Sequence, residues 1–550
     1  MRAANPAPSL GLMARQIELS WRIADVRAAR EQWAAATPET CEAVLNAADR
    51  FARDVLEPVN MAMDRSGCRL VEGRVETAPG HRDAWTAYVE AGWPTLEAAE
   101  EYGGQGLPAI LAFAAQEHFD RACPAFGMLP VPQRSAFRLI DVFGTEAMRE
   151  EWLPRLASGE WGATICVSEV GAGSDLARAS TRATANADGT WSIVGEKCWI
   201  SYGDHDLADQ IGHVVLAQTE CSDGKRRPSL FLVPSTLPDN ARNRIAVRRI
   251  EHKLGLHGSP TCALGFEEAT GWLLGDPGKG LAQLFVMIAN MRLAVGAMGL
   301  GIASAAADVA FAYAGERKQG GKPDPLPINC HPDVQLQLLD LAAPVVLLRG
   351  LLFAVANAND LASVGDEQAA ALAAWLLPIV KTTGGEIAFD TAGAAIQVLG
   401  GAGYTSEWPV EQALRDARVL TIFEGATGIQ ALDLTHRRLV LDDTSYRAFV
   451  TAVGTDGDPR CAAVLAELDS AARWLKANPA GVDGGATAFL HLASVAALSW
   501  IAAGYRDQAN NDPLMFVAAD HWLDGACSKA ALLHARVKAG ASLTERFARL

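Results

Sequence analysis

The hydrophobic pattern of the 550-residue chain changes its period twice, and this order of segments constrains the fold more than any single motif. From about residue 38 to 158, apolar residues recur at spacings of three and four, as in "TCEAVLNAADRFARDVLEP", which predicts helices. From about 160 to 275 short β-type runs follow one another, with "RIAVRRIEHKLG" among them, and the helical period then returns. The order predicts an α+β fold, mostly α, with segregated elements and no parallel α/β sheet.

Breaks in the pattern suggest where the domains begin and end. We predict an N-terminal helical domain at 38–159, a middle β-barrel-like domain at 160–275, a C-terminal helical bundle at 276–445 and an appended helical segment at 460–550. Inside the β domain, the Asp188-Gly189 pair predicts a hairpin turn. In the bundle, the small residues of "AVGAMGLGIASAAA" predict that helices approach one another closely.

Charge and cysteine content argue against several classes of protein. A formal net charge of −16 gives no electrostatic footprint for nucleic acid or an anionic membrane. The ten cysteines form no CxxC pair, and His205, His252, His257 and His331 lack the spacing of metal ligands. The N-terminus lacks the apolar core of a signal peptide, and the longest apolar run, at 369–380, is too short to cross a bilayer. We expect a cytoplasmic protein with reduced thiols and no bound metal.

Two motifs of the β segment could contact a ligand. In "CVSEVGAGSDLA" the pair Gly171 and Gly173 precedes Ser174, a pattern that presents backbone N–H groups to an anion or a ring carbonyl but also fits a tight loop leaving a strand. In "GEKCWISYG", Trp199 and Ser201 lie on a predicted strand, where an isolated tryptophan also fits a core position. No GxGxxG follows a strand, so a dinucleotide-binding Rossmann site is not supported.

A third motif, "TIFEGATGIQALDL", places the single carboxylate of Glu424 between an aromatic residue and a glycine. Glu424 fits the first turn of a helix, where the positive end of the helix dipole favours an acid. It equally fits a base directed at a ligand, because Gly425 would let backbone and ligand approach closely. The residues by themselves leave both interpretations open.

Taken together, the motifs resemble the acyl-CoA dehydrogenases. The resemblance extends from about residue 40 to 440, and its segments occur in the family's order: "CVSEVGAGSD", "GEKCWISYG", "IEHKLGLHGSPTCALGFE", "GKGLAQLF", "MRLAVGAMGLGIA", "ERKQGG", "IQVLGGAGYTSEWPVEQALRDAR" and "IFEGATGIQ". The chain length and segments such as "WISYGDHDLAD" and "FLVPSTLPD" resemble most a longer bacterial subgroup that includes the 3-methylmercaptopropionyl-CoA dehydrogenases.

The resemblance implies an FAD-dependent oxidation of an acyl-CoA thioester to the trans-2,3-enoyl-CoA. Glu424 matches the catalytic base, which removes the α-proton as the β-hydrogen leaves as a hydride to flavin N5. The implied substrate is 3-methylmercaptopropionyl-CoA or another short or medium acyl-CoA. The implied electron acceptor is an electron-transferring flavoprotein, and the implied assembly is a homodimer or homotetramer. A variant of the same chemistry in which oxygen reaches the reduced flavin, an acyl-CoA oxidase, stays open.

The resemblance also assigns roles to individual residues. It places Val167, Ser168, Gly173, Ser174, Trp199 and Ser201 at FAD within the β domain. It places Arg317, Gln397, Gly400 and Gly401 at the FAD of a neighbouring subunit. Ser174, Arg292 and Gly425 match substrate-contacting positions. A solvated helix-end cation at Arg317 and a buried structural arginine at Arg292 stay open.

Two departures from the family pattern stand out. Val170 occupies a position where the family usually has proline, and Ala426 lacks the hydroxyl that usually follows the base and its glycine, which puts one flavin hydrogen bond in doubt. A DNA-binding branch of the superfamily is a further alternative. It needs a basic face, and the C-terminal tail "HARVKAGASLTERFARL" is only modestly basic.

Overall fold

Helices dominate the computed structural model, which describes residues 10–454, 457–508 and 512–550. The helices are α1 Leu10–Glu18, α2 Ile23–Ala29, α3 Pro38–Phe51, α4 Glu57–Ser66, α5 His81–Glu90, α6 Ala109–Ala122, α7 Pro124–Gly127, α8 Pro130–Phe143, α9 Glu146–Ser158, α10 Gly280–Glu316, α11 Pro332–Ser363, α12 Glu367–Leu399, α13 Val410–Ala417, α14 Thr427–Leu432, α15 Thr444–Val453, α16 Pro459–Ala477, α17 Val482–Gln508 and α18 Pro513–Phe547. The strands are β1 Arg69–Val71, β2 Arg74–Glu76, β3 Trp161–Cys166, β4 Arg182–Ala185, β5 Trp191–Ser201, β6 Gln210–Glu220, β7 Arg226–Pro234, β8 Ile245–Ile250 and β9 Thr261–Leu274. The predicted α+β, mostly α fold is confirmed.

Contacts between residues divide the chain into two compact units. A helical unit contains the chain up to Asp49, Pro108–Arg121 and Arg292–Leu550, and a β unit contains Arg50–Leu107 and Ala122–Met291. The N-terminal segment thus contributes to both units, since α3 and α6 lie largely in the first, and α4, α5, α7, α8 and α9 in the second. The domain limits given above stay predictions.

The sheet of the β unit closes into a ring. Its order is β3-β6-β4-β5-β9-β7, with β7 also paired to β6, and β8 pairs with β9. The pairings β3–β6 and β4–β6 are parallel and the others are antiparallel. The predicted hairpin is confirmed, because β4 and β5 pair across a turn in which Gly189 has φ 87°.

Two sequence expectations about strands were wrong. The β1–β2 hairpin lies within a region predicted to be helical, and its strands of three residues are too short to show a period of two. Strand β8 ends at Ile250, so the segment that follows it in "RIAVRRIEHKLG" is not part of the strand.

Central strands of the β unit are buried on both faces. Val214 and Leu216 of β6 pack in a cluster with Leu139 of α8 and Leu153 of α9. The alternate residues, represented by Val215, belong to a second cluster with residues of β5, β7 and β9. Because successive side chains of a strand point to opposite faces, a strand that is covered on both sides is a continuous apolar run, as "HVVLA" is.

Helices α10 and α12 of the helical unit touch backbone to backbone. A Cβ atom added to Gly299 would lie 2.3 Å from the carbonyl oxygen of Gly384, and one added to Gly384 would lie 2.8 Å from the Cα of Gly296. Only residues without a side chain permit this approach. The close helix packing predicted from the small residues of α10 is confirmed.

A buried polar network joins four helices of the helical unit. The guanidinium of Arg349 in α11 donates to both carboxylate oxygens of Glu117 in α6 (2.6 and 2.7 Å) and to the amide oxygen of Gln16 in α1 (2.8 Å). The amide nitrogen of Gln16 donates to the hydroxyl of Tyr505 in α17 (2.9 Å). Burial opposes ionisation of Glu117, but Arg349 outweighs it and lowers the pKa of that carboxyl. The network fixes α1 in the unit, although α1 precedes the N-terminal domain predicted from the sequence.

Three described helices have the length and apolar composition to cross a membrane: Gly280–Glu316, Pro332–Ser363 and Pro479–Gln508. In their most apolar windows, 67%, 83% and 72% of the residues, respectively, are buried inside the protein. Packing between helices therefore accounts for much of their apolar character. The run at 369–380 is not among them, and these three were not predicted from the sequence.

Candidate active site

Glu424 lies in a loop between a 3₁₀ turn, Arg418–Thr421, and helix α14. Helix α14 begins at Thr427 with Ala426 as its N-cap, so Glu424 precedes the first turn. The helix-start interpretation of Glu424 is therefore wrong. Its backbone is left-handed (φ 55°), as is that of Gly425 (φ 91°). A left-handed glutamate is strained, and such strain persists only where the surroundings hold it.

Two buried side chains hold this loop, and we call them the Gly425 clamp: Lys381 of α12 and Gln430 of α14. The Nζ of Lys381 donates to the carbonyl oxygen of Gly425 (2.9 Å). The Nε2 of Gln430 donates to the carbonyl oxygens of Glu424 (2.9 Å) and Gly425 (3.1 Å). Both clamp residues have no measurable exposure, and a Cβ on Gly425 would lie 2.7 Å from Gln430 Nε2. Glycine is needed here for its backbone conformation and for space.

The charges around Glu424 act against one another. Although its side chain is only half-buried, the protein atoms around the carboxylate raise the pKa of Glu424, and the cations of Arg292 and Lys381 oppose this rise. Burial lowers the pKa of Lys381 to about 8, although Glu424 acts to raise it. A carboxylate whose pKa is moved upward toward neutrality is suited to general base catalysis.

Arg292 is buried and bridged to an acid. Its Nη1 lies 3.3 Å from Asp433 Oδ2, and the same carboxylate oxygen accepts from Arg438. Burial lowers the pKa of Arg292, while Asp433 and then Glu424 raise it. The structural interpretation, an arginine paired with an acid, thus describes what the structure shows. Because Arg292 also interacts electrostatically with Glu424, a role for Arg292 in the reaction stays open.

In the β unit, a second buried ion pair anchors the loop at 167–174. Glu169 Oε1 accepts from Lys197 Nζ (2.8 Å), and its two oxygens also accept from the backbone N–H groups of Ser180 (2.7 Å) and Thr181 (3.0 Å). Lys197 Nζ donates in addition to the carbonyl of Val167 (3.0 Å). Burial opposes ionisation, but these hydrogen bonds outweigh it and lower the pKa of Glu169 to about 2.

Trp199 is held outside the sheet by an irregularity of β5. The register between β5 and β9 shifts between Lys197 and Ile200, and Trp199 lies there with φ 63° and a side chain that is 62% exposed. The core interpretation of this tryptophan is therefore wrong. The N–H of Cys198 donates to the carbonyl of Ser168 (3.0 Å), which ties the 167–174 loop to the same bulge.

The structure thus brings most residues of the two β-unit motifs together. Val167 and Ser168 are half-buried beside the bulge, whereas Gly173 and Ser174 are exposed, with open space at the Cβ position of Gly173. Ser201 lies in the β5–β9 ladder opposite Thr261. An exposed indole ring beside a loop of small residues fits a flat aromatic group that has polar edges.

Four other assigned residues lie at the ends of two helices. Arg317 follows the last residue of α10, and Gln397, Gly400 and Gly401 lie at the C-terminal end of α12, all of them exposed. Lys381 and Gln397 occupy the same helix and are separated by about 24 Å along its axis, at a rise of about 1.5 Å per residue. Within one chain these residues do not join the Gly425 clamp.

Several side chains of the site were not predicted from the sequence. Lys381 is a lone cation at the end of the apolar run "WLLPIVK", and this was the available signal, whereas Lys197 follows the acid Glu196 and gave none. Gln430, Asp433 and Glu169 gave no such signal, because only their partners make them significant.

The cysteine and histidine side chains of the described residues are dispersed. There, no group of three or more His, Cys, Asp or Glu side chains is placed to hold a metal ion. All ten cysteines are free, and six of them are buried. Burial raises the pKa of five of the buried thiols, for example that of Cys166 to about 12, so these thiols are unreactive near neutral pH.

Comparison with known protein families gives three matches in succession. Residues 38–160 match the acyl-CoA dehydrogenase N-terminal domain, residues 164–269 the middle domain and residues 278–439 the C-terminal domain. Glu424, the Gly425 clamp and Arg292 lie within the third match, and the 167–174 loop and Trp199 lie within the second.

Individual proteins show the same likeness. The 3-methylmercaptopropionyl-CoA dehydrogenase of Ruegeria pomeroyi is 37% identical over 437 residues, which cover 76% of this chain and 74% of that protein. The structure of butyryl-CoA dehydrogenase from Megasphaera elsdenii is 26% identical with a TM-score of 0.62, and the match covers 72% of this chain and 98% of that one. An acyl-CoA dehydrogenase from Bacillus anthracis, complexed with FAD, shares the fold with a TM-score of 0.76 at 21% identity, over 95% of this chain and 90% of that one.

Proposed function

Because the chain belongs to the acyl-CoA dehydrogenase family, we propose that it oxidises an acyl-CoA thioester to the trans-2,3-enoyl-CoA with FAD as its cofactor. The observation that carries the proposal is Glu424: a carboxylate with a raised pKa, on a strained backbone that buried donors hold. A raised pKa and a fixed position are what a general base requires.

Glu424 removes a proton from the α-carbon of the thioester. That carbon is a weak acid in water, because its conjugate base places charge on the thioester oxygen. Backbone N–H donors near such an oxygen stabilise the charge by roughly 3 to 4 kcal/mol each. The Gly425 clamp keeps the carboxylate in one position, so little freedom is lost when the substrate binds.

Features of the β unit support FAD as the cofactor. The exposed face of Trp199 and the small residues of the 167–174 loop suit an isoalloxazine ring, and we assign the Ser168 hydroxyl of that loop to its polar edge. When bound, FAD supplies the acceptor for the hydride that leaves the β-carbon. Ala426 has no hydroxyl, so its side chain contributes no hydrogen bond to the cofactor.

The likeness to 3-methylmercaptopropionyl-CoA dehydrogenase and butyryl-CoA dehydrogenase supports a short acyl-CoA as the substrate.

We also propose a homo-oligomer. Arg317, Gln397, Gly400 and Gly401 are exposed, and Gln397 lies about 24 Å from Lys381 along the axis of α12, which suits a role at the FAD of another subunit. The electron acceptor is an electron-transferring flavoprotein, and the compartment is the cytoplasm, in keeping with ten free cysteines.

The decisive experiment compares Glu424→Gln with the wild type under anaerobic conditions. Butyryl-CoA or 3-methylmercaptopropionyl-CoA should bleach the yellow colour of the wild type. Glu424→Gln should retain FAD and bleach about 10² to 10⁴ times more slowly, since a positioned base contributes this much. Glu407→Gln, a change at an exposed acid of the same unit, should behave as the wild type.

Rapid bleaching of Glu424→Gln would show that another group acts as the base. Stoichiometric hydrogen peroxide formed with the enoyl-CoA in air would show that the enzyme is an acyl-CoA oxidase and would refute the flavoprotein acceptor.

A further inference from the structure

Lys381 is a fully buried lysine near the middle of an apolar helix, and its positive charge has no part in the chemistry proposed above. Burying an ammonium group is costly unless its donors are used and its charge is compensated. In the described part of the chain its hydrogen-bond partner is a neutral group, the carbonyl of Gly425. A methionine or leucine would fill the same space without that cost.

We propose that Lys381 is a positioning residue for the base: its ammonium group holds the Gly425 carbonyl and stabilises the ionised form of the Glu424 carboxylate. The inference rests on the proposed function, since it assigns Lys381 to the α-proton step. Lys381 would act on Glu424 in two separate ways, one geometric and one electrostatic.

The geometric effect follows from the backbone of the loop. Glu424 and Gly425 are both left-handed, and the carbonyls of both accept from clamp residues. A left-handed non-glycine residue costs about 1 to 2 kcal/mol, so a free loop would relax and move the carboxylate. Gln430 alone reaches both carbonyls from α14, and Lys381 adds a hydrogen bond from a different helix, α12. The loop is thereby tied to the long helix as well as to the short one.

The electrostatic effect follows from the charges that face Lys381. These are the carboxylates of Glu424 and, more weakly, Glu386, and the guanidinium of Arg292. Arg292 shares its charge with Asp433, which also accepts from Arg438. Lys381 forms no such pair in the described residues, so its charge acts on Glu424 without a competing carboxylate in direct contact. The proximity of a cation favours the ionised carboxylate and thus the form that accepts a proton.

The test isolates proton removal from oxidation. The thioester 3,3-dimethylbutanoyl-CoA has α-hydrogens but no β-hydrogen, so the base can act on it while no hydride can leave. Deuterium entering its α-carbon from D₂O, followed by mass spectrometry across a range of pD, measures the base step in the FAD-loaded enzyme. The acidic limb of this profile reports the protonation of Glu424.

Lys381→Met should move that limb upward by about one unit and slow the exchange roughly ten-fold at pD values on the limb, below the pKa of Glu424, because there one unit is a ten-fold change in the ionised fraction. Lys381→Arg, which keeps the charge, should keep the limb near its wild-type position. Gln430→Leu, which removes only neutral donors, should lower the plateau and leave the limb in place. Lys381→Gln keeps a hydrogen-bond donor but no charge, and its acidic limb should shift as far as that of Lys381→Met. This second neutral variant tests the same prediction if the methionine variant does not fold.

A readout on the protein without FAD comes from urea unfolding. Because burial lowers the pKa of Lys381 to about 8, its burial destabilises the fold below pH 8, and this penalty is relieved as the pH rises toward 10.5. Lys381→Met should lose this rise in stability. An acidic limb that stays in place in both neutral variants would overturn the proposal. Undiminished exchange in Glu424→Gln would instead overturn the proposed function itself.

Discussion

Replacing Glu169 with glutamine tests how the 167–174 loop is held. The substitution would keep the size of the side chain but remove its charge, leaving the ammonium of Lys197 buried without a carboxylate. The new amide NH2 group would also face a backbone donor at whichever end it occupies: the N–H of Ser180 at the Oε2 position, or the N–H of Thr181 at the Oε1 position. We therefore expect both a loss of stability and a looser loop.

The size of the effect follows from the pKa of Glu169. The folded protein lowers it from 4.5 to about 2, a change of about 2.5 units, which corresponds to about 3 kcal/mol of stability at pH 7. Since the folded pKa is the lower one, this stability is fully present above pH 4.5 and is lost as the pH falls toward 2. Glu169→Gln should therefore cost about 3 kcal/mol at pH 7 and progressively less below pH 4.5.

Urea unfolding followed by tryptophan fluorescence from pH 7 to pH 3 measures this difference. The matched control is Glu196→Gln, next to Lys197 on β5, where the side chain is 70% exposed and, among the described residues, pairs with an exposed arginine. The control should unfold as the wild type does. A Glu169→Gln variant that costs no more than this control, or whose cost stays constant down to pH 3, would refute the buried-pair argument.

Two further predictions concern packing and assembly. Gly299→Ala should destabilise the helical unit by about 1 to 3 kcal/mol in urea unfolding, because its Cβ would lie 2.3 Å from a backbone oxygen of α12. The control, Gly504→Ala, lies in open space on α17 and should not change the free energy of unfolding. Equal effects of the two substitutions would contradict the steric reasoning. Arg317→Ala should lower the FAD content per chain, while light scattering should still give a multiple of the chain mass. A monomer with full FAD content would contradict the proposed role of Arg317 at the FAD of a neighbouring subunit.

Much of the site could be located from the sequence because its motifs are local. The glycines around Ser174, the tryptophan of "GEKCWIS" and the acid of "IFEGATG" were each identified there, the last with its role implied by family resemblance. What the sequence left open at Glu424 was its backbone. A helix start and a strained loop differ by the φ angle of one residue, and no spacing of apolar residues distinguishes them.

The partners of these motifs could not be predicted in the same way. Lys381 and Gly425 are 44 residues apart, and Lys197 and Glu169 are 28 apart, so their contacts exist only after helices and strands have packed. A lysine in an apolar stretch is an anomaly in the sequence, but the group that compensates it is fixed by tertiary structure.

The sequence by itself determined the succession of helices, β sheet and helices, because apolar spacing directly dictates which faces must be buried. It also showed that a helix could approach α10 closely, since the glycines of α10 allow it and larger residues would not, but only the tertiary structure made α12 that helix. Tertiary structure alone decided how acidic Glu424 and Glu169 are. A pKa depends on which charges and donors surround a group and on how much water is excluded, and those are properties of the packed chain.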